Sequence, residues 1–224
     1  MPIMVQRNKW ILYKHTCDYE LIKAVALDVK NSCNTELSDF QKQSFSKQLK
    51  KYFDRKMSTN ENFYLGVTPK ILKINGANED KLVMSQKALI KIISSDSGHH
   101  IPIKILNKIP IALEKPLLVI DGSKDNTLAV IINLKDDLGK EILVAIRLDA
   151  KEAYMDVTRI TTAYGKKGLK SFLLNETHNI LDIYNVKKTS CWLVNKGLQL
   201  SKFPSTNNSS YKYIICLKDK KNNK

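Results

Sequence analysis

Four histidines occur in the sequence, and two of them stand side by side, His99 and His100, in the turn-like segment DSGHH. Imidazole accepts and returns a proton near physiological pH, so a paired histidine in a turn is the first place to look for acid–base chemistry. Two arginines sit inside strand-like runs, Arg147 in EILVAIRLD and Arg159 in MDVTRITTAYG. A guanidinium fork matches two oxygens of a phosphate. Lys166 and Lys167 follow directly and are in range of a phosphate backbone. A proton carrier together with cations is what metal-independent RNA cleavage requires. A base takes the 2′-OH proton, an acid protonates the departing 5′-oxygen, and donors hold the charge on phosphorus. His100 is the leading acid or base, with His99 as its substitute. Each residue also has a plain structural alternative: the histidines can cap the next helix, the arginines can form surface ion pairs, and the lysines can open a loop.

Other chemistries find little support. His15, Cys17 and Asp18 are close together, but no second ligand pair completes a zinc site. His178 falls beside Asn175 and Glu176 on a helix-like surface. GKKG is too short for a phosphate loop, and neither a Walker pattern nor a dinucleotide fingerprint occurs. No carboxylate cluster points to magnesium. No cofactor or metal is therefore expected. Cys17, Cys33, Cys191 and Cys216 form no C-x-x-C pair, which fits a reducing compartment. The start, MPIMVQRNKW, lacks a signal-peptide layout, and no apolar run is long enough to span a bilayer. A cytoplasmic protein without a membrane partner is expected. Thirty-seven Lys and Arg against 22 Asp and Glu give a formal charge of +15. That excess favours polyanions and makes RNA the first partner to consider, although abundant scattered lysine alone also gives a basic surface. A protein inhibitor or a phage protein is a further partner to consider.

The elements that must position these residues can be read from periodicity. Residues 1–60 read as a helical segment, with one helix over residues 18–30 and a second from Ser38 or Asp39 through Phe45, Leu49 and Phe53. Its opposite face is rich in lysine. LGVTPKILKING reads as a short extended or turn element. Ser85 caps a helix, SQKALIKIISS, and a further helical stretch runs from Pro102 to about Leu113. PLLVIDG is a short strand. TLAVIINLK and EILVAIRLD flank DDLG and form a hairpin. Alternation gives its core face to Leu128, Val130, Ile132 and Leu134 with Ile142, Val144, Ile146 and Leu148. MDVTRITTAYG is a third antiparallel strand. GLKSFLLNETHNILDIY reads as a helix, CWLVN as a short strand and YKYIICLK as a last one. Residues 202–224 read as a basic tail rich in Asn, Ser and Lys. Helices precede sheet, so the fold class is α+β, with helices on one sheet face and the other free as a working surface.

Four stretches in order carry a family resemblance: LGVTPKILKINGANEDKLVMSQKALIKI, HIPIKILNKIPIALEKPLLVIDGS, LAVIINLKDDLGKEILVAIRLD, and VTRITTAYGKKG with its following helix and GLQLS. Together, over residues 65–201, they resemble the MuF C-terminal domain found at the ends of phage head-morphogenesis proteins and large phage polyproteins. That domain is grouped with barnase-, EndoU-, colicin- and RelE-like nucleases. The resemblance implies helices followed by a four-stranded, or slightly larger, antiparallel sheet. It also implies a phage- or mobile-element-derived, toxin-like endoribonuclease working without metal. The alternative is a non-catalytic nucleic-acid-binding or phage accessory module on the same scaffold. The family's histidine falls at His100, or at His99 because the turn is longer here. Its strand serine corresponds to Thr162, its tyrosine to Tyr164, and its hydroxyl after the first strand to Ser123. Simple alternation sets Arg159 and Thr162 on opposite sheet faces. Only a bulge or a strand end near Thr161 would bring them together.

Overall fold

The computed structural model describes residues 35–77, 81–94, 100–152, 155–176, 179–204 and 211–217. The helix expected over residues 18–30, His15, His99, His178 and the last seven residues lie outside them. The chain divides into two compact units, Met1–Asp39 and Phe40–Lys224, and the sheet and every described candidate residue belong to the second.

A seven-stranded sheet organises that unit, in the order β1-β2-β6-β5-β4-β3-β7. Its strands are β1 (Phe63–Val67), β2 (Lys81–Met84), β3 (Leu118–Asp121), β4 (Thr127–Lys135), β5 (Glu141–Glu152), β6 (Met155–Gly165) and β7 (Ile180–Asp182). β2 runs parallel to β6, and every other neighbouring pair is antiparallel. The expected four-stranded antiparallel sheet is thus corrected to a larger, mixed one. β4, β5 and β6 are long, and the four-residue β3 stands out only as part of the apolar run PLLVIDG. The added β1, β2 and β7 have only three to five residues, too few for a period-two pattern to stand out.

The hairpin forms where alternation puts it. Asp136 Oδ1 accepts from the backbone N–H groups of Leu138 and Lys140 at 2.9 and 2.8 Å, and Gly139 takes a φ of 72° that other residues resist. Its core face is the expected one. Leu128, Val130 and Ile132 meet Ile142, Val144 and Ile146 in one large cluster, with Leu134 and Leu148 at its margin. This first face is covered by α1 (Thr35–Phe53), α2 (Lys70–Ile74), α3 (Gln86–Ile93), α4 (Ile103–Leu106) and α5 (Ile109–Ala112). Ser85 caps α3 as its type suggests, its hydroxyl accepting from the Ala88 N–H at 3.1 Å, and Leu89 and Ile92 are fully buried. Each such side chain contributes roughly 1.5–3 kcal/mol by leaving water. α1 begins at Thr35, ahead of Ser38, and buries Phe45 and Leu49 in the same cluster.

The second face is not free over its whole length, and this corrects the expectation of an open working surface. Ile131 and Leu143 point to it and are buried beneath α6 (Leu169–Asn175), α7 (Val186–Val194) and a separate hairpin of β8 (Leu198–Pro204) and β9 (Tyr211–Leu217). β4 and β5 are apolar on both sides here, which is the pattern of strands covered twice. Two element readings change with it. GLKSFLLNETHNILDIY yields only the seven-residue α6 before β7 begins. CWLVN is helical. Asn185 caps α7 by accepting from the Lys188 N–H at 2.9 Å, and Thr189 and Leu193 are buried four residues apart on one stripe.

β1 is an edge strand, and it is plugged. The Gln48 side chain of α1 donates to the Tyr64 carbonyl and accepts from the Tyr64 N–H, both at 2.8 Å. At the other side of the β2–β6 pairing, Thr158 is fully buried and its hydroxyl has no hydrogen-bond partner. An unmatched buried hydroxyl costs about 1–3 kcal/mol, whereas a methyl of the same shape costs nothing of that kind. Thr158→Val is therefore expected to raise the urea midpoint, by about 1–2 kcal/mol of stability. An unchanged or lower midpoint would show that the hydroxyl is satisfied in solution.

Candidate functional site

The open part of the second face lies where β5 and β6 leave the cover of α6 and α7, and a break in register decides what stands there. Ala145 pairs with Thr162, but Ile146 pairs with Ile160, so Thr161 is an extra residue on β6. Its hydroxyl donates to the Ala145 carbonyl at 3.1 Å and fastens the bulge. The parity of β6 changes across it. Ile160 and Ala163 both reach the first core, while Arg159, Thr162 and Tyr164 all share the second face with Leu143, Ala145 and Arg147. The conflict between simple alternation and the grouping of Arg159 with Thr162 is removed by this one residue.

Arg147 and Arg159 are direct cross-strand partners. Beyond them the register shifts again: the next pair is Ala150 with Val157, so the extra residue now lies on β5. Two bulges, one on each strand, thus bracket the arginine pair. Arg147 Nε donates to Asp149 Oδ1 at 3.0 Å, and Asn126 donates to Asp149 Oδ2 at 3.1 Å. Asn126 holds a φ of 54° in the β3–β4 turn, a conformation asparagine tolerates better than most residues, and its carbonyl accepts from the Leu148 N–H at 2.8 Å. The bonds from Asn126 and then Arg147 keep the Asp149 carboxyl below the usual carboxylate range. Arg159 donates through Nη2 to the Lys151 carbonyl at 2.5 Å, and its buried Nε finds no protein acceptor. Asp149 and Asn126 were not marked as site residues by sequence reasoning. The doubled Thr in ITTAYG and the Asn ending DGSKDN were the only signals available.

Further along β6, Tyr164 is half-buried against the second cluster, and that burial pushes its phenol pKa up. Lys166 Nζ lies 4.2 Å from the centre of the Phe172 ring and 5.8 Å from that of Tyr164. Lys167 is exposed at the start of the turn into α6, and Ser123 is exposed in the β3–β4 loop. Arg147, Arg159, Thr162, Tyr164 and Lys166 therefore form a stripe along β5 and β6, and the Ser123 loop stands at the strand end beside Asn126.

His100 does not join them. It follows α3, directly before Ile101, which is buried in the first core. Its ring is exposed, and Nδ1 lies 3.2 Å from the Ile93 carbonyl at the end of α3. It belongs to the helix layer on the first face, with the sheet between that layer and the arginine face.

Residues 91–191 match the phage MuF C-terminal domain. The MuF-C segment runs from the last turn of α3 into α7 and contains every candidate site residue, from His99 to Lys167. Residues 5–73 match a second family, the N-terminal domain of the type II restriction endonuclease HgaI, of which residues 35–73 are described and hold α1, β1 and most of α2. No curated protein and no solved structure matched the chain. Among the described residues no helix is long and apolar enough to cross a membrane.

Proposed function

We propose that the chain is a nuclease-class module of phage or mobile-element origin that engages RNA on the open second face of its sheet and cleaves it without metal, through attack of the 2′-OH on phosphorus. The observation that carries this reading is the bulge at Thr161, which gives Arg159, Thr162 and Tyr164 a common face with Arg147. The two phage- and nuclease-related family matches and the charge of +15 support it. Kinship with barnase- and RelE-like folds is part of the same proposal. In it the arginines hold the charge developing on phosphorus. Solvent water takes the 2′-OH proton as that oxygen attacks phosphorus, and Tyr164, kept protonated by burial, donates to the departing 5′-oxygen and regains its proton from solvent. Thr162 hydrogen-bonds the phosphate, and Lys166 and Lys167 track the backbone.

A second reading has its own observation. His100 stands on the other side of the sheet with Nδ1 turned to a backbone carbonyl, which favours a binding module that lacks turnover. RNA incubated with the protein in EDTA separates the two. Cleavage predicts fragments with 2′,3′-cyclic phosphate ends, reduced roughly 100-fold or more in Arg159→Ala and in Tyr164→Phe. Retained cleavage in His100→Ala confines the chemistry to the second face, and its loss assigns acid–base work to His100. Intact RNA with steeply salt-dependent binding would favour the binding module.

A further inference from the structure

Two guanidinium groups directly opposite each other in a strand pair repel, and a fold gains nothing from that arrangement by itself. Here it is built with care. A bulge on each strand brackets the pair. Asn126, in its left-handed conformation, clamps Asp149, and Asp149 in turn orients Arg147. Arg159 is tethered by the Lys151 carbonyl and keeps a buried Nε without a protein acceptor. The neighbouring Lys151 forms an ion pair with Asp156, so the two cancel. Arg147 and Asp149 also cancel. What is left at the pair is a single positive charge with guanidinium N–H donors from two directions.

We infer that Arg147 and Arg159 together hold one internal phosphodiester of a nucleic-acid strand, as a two-guanidinium cradle and not as two separate phosphate contacts. The proposal rests on the second face being the nucleic-acid face and names what that face recognises. Directly paired residues root the two side chains about 5 Å apart, which lets both forks converge on one tetrahedral group. The residual charge of one matches a diester, which carries one negative charge, better than a terminal monoester, which carries closer to two at neutral pH. The cradle therefore needs no strand end, and it fits an internal position in a chain.

The test uses the full chain and a fluorescent 2′-O-methyl oligonucleotide, which cannot be cleaved by its own 2′-oxygen, in two forms with a 5′-hydroxyl or a 5′-phosphate. Equal affinity for the two forms is expected, and a preference of tenfold or more for the phosphorylated one would assign the site to strand ends and overturn the diester inference. Arg147→Gln and Arg159→Gln are each expected to weaken binding roughly tenfold or more, with Lys104→Gln, exposed in the helix layer of the opposite face, as a surface control that does not. The salt dependence then counts phosphates. If both arginines serve one phosphate, the double variant loses about 0.7 from the logarithmic salt slope, as one single-strand contact does; a loss near 1.4 means two separate contacts and sinks the cradle. Tight binding indifferent to both arginines would remove the cradle and leave the nucleic-acid reading standing. Absence of any binding would remove both. Circular dichroism of each variant checks that the sheet is intact.

Discussion

Ile160→Ala is expected to lower stability by about 2–5 kcal/mol, whereas deleting its neighbour Thr161 costs only about 1–2 kcal/mol. The contrast follows from the register. Ile160 is 1% exposed in the first core. Thr161 is the extra residue of the bulge: Ala145 pairs with Thr162 and Ile146 with Ile160. Removing it joins two segments that already alternate correctly, so Ile160 and Ala163 keep the first face while Arg159, Thr162 and Tyr164 keep the second. What is lost is one hydrogen bond, to the Ala145 carbonyl, and the local kink of the strand. Thr161→Ala, which loses only the bond, is expected to cost about 1 kcal/mol. Soluble yield and urea unfolding of the three variants measure the difference. A deletion variant that fails to fold, or that loses as much as Ile160→Ala, would mean that Thr161 belongs to the ladder, and the common face of Arg159 and Thr162 would lose its basis.

Glu141→Ala is expected to destabilise the protein by roughly 3 kcal/mol at neutral pH, with the penalty shrinking as the solution is acidified. Glu141 begins β5 and is 7% exposed. Lys196 Nζ lies 2.5 Å from its Oε1, and Trp192 Nε1 donates to the same oxygen at 3.4 Å. The carboxylate thus pins the end of α7 to the sheet. Burial pushes its pKa up, but the hydrogen bond and charge of Lys196, a backbone N–H and the indole outweigh burial, and the carboxyl ends below its ordinary value. The folded-state pKa is the lower one, so this contribution is complete above the ordinary carboxylate range and fades as pH falls through the depressed value. The figure allows for Lys196 being about a quarter exposed, which screens the pair. Urea midpoints of wild type, Glu141→Ala, Lys196→Met and the double variant, each from pH 3 to 8, provide the check. Equal pH profiles for wild type and Glu141→Ala would mean that the pair contributes nothing.

Much of this fold was legible because β4 and β5 are long and keep large aliphatic residues at alternate positions. Leu128 to Leu134 and Ile142 to Leu148 announce their face without any structure. Ser85 announces its helix through a hydroxyl at the right place. What escaped has physical reasons. β7 has three residues, fewer than two periods of anything. CWLVN is apolar up to its final Asn195, and only Asn185, several residues upstream, shows that the run is helical. The second face was misread because its cover comes from α6, α7 and the β8–β9 hairpin, which follow the sheet in sequence. At the candidate site, residue types were legible and their assembly was not. Arg147, Arg159, Thr162 and Tyr164 could be named from chemistry and resemblance, but their shared face depends on one uncounted residue. His100 carries the right chemistry in the wrong layer, and no local pattern reveals on which side of a sheet a turn will lie.

The plugged edge at β1 has a consequence for how copies of this protein meet. A bare edge strand offers a growing point, since an arriving strand gains hydrogen bonds at no cost to the host. Gln48 behaves as a surrogate strand one residue long, with its amide imitating a peptide group against Tyr64. A newcomer at that point would have to evict it, exchanging two bonds for two bonds while also ordering its own backbone. The balance tips against docking. One glutamine on a neighbouring helix therefore works as a terminator, limiting a seven-stranded sheet to its own chain on that side.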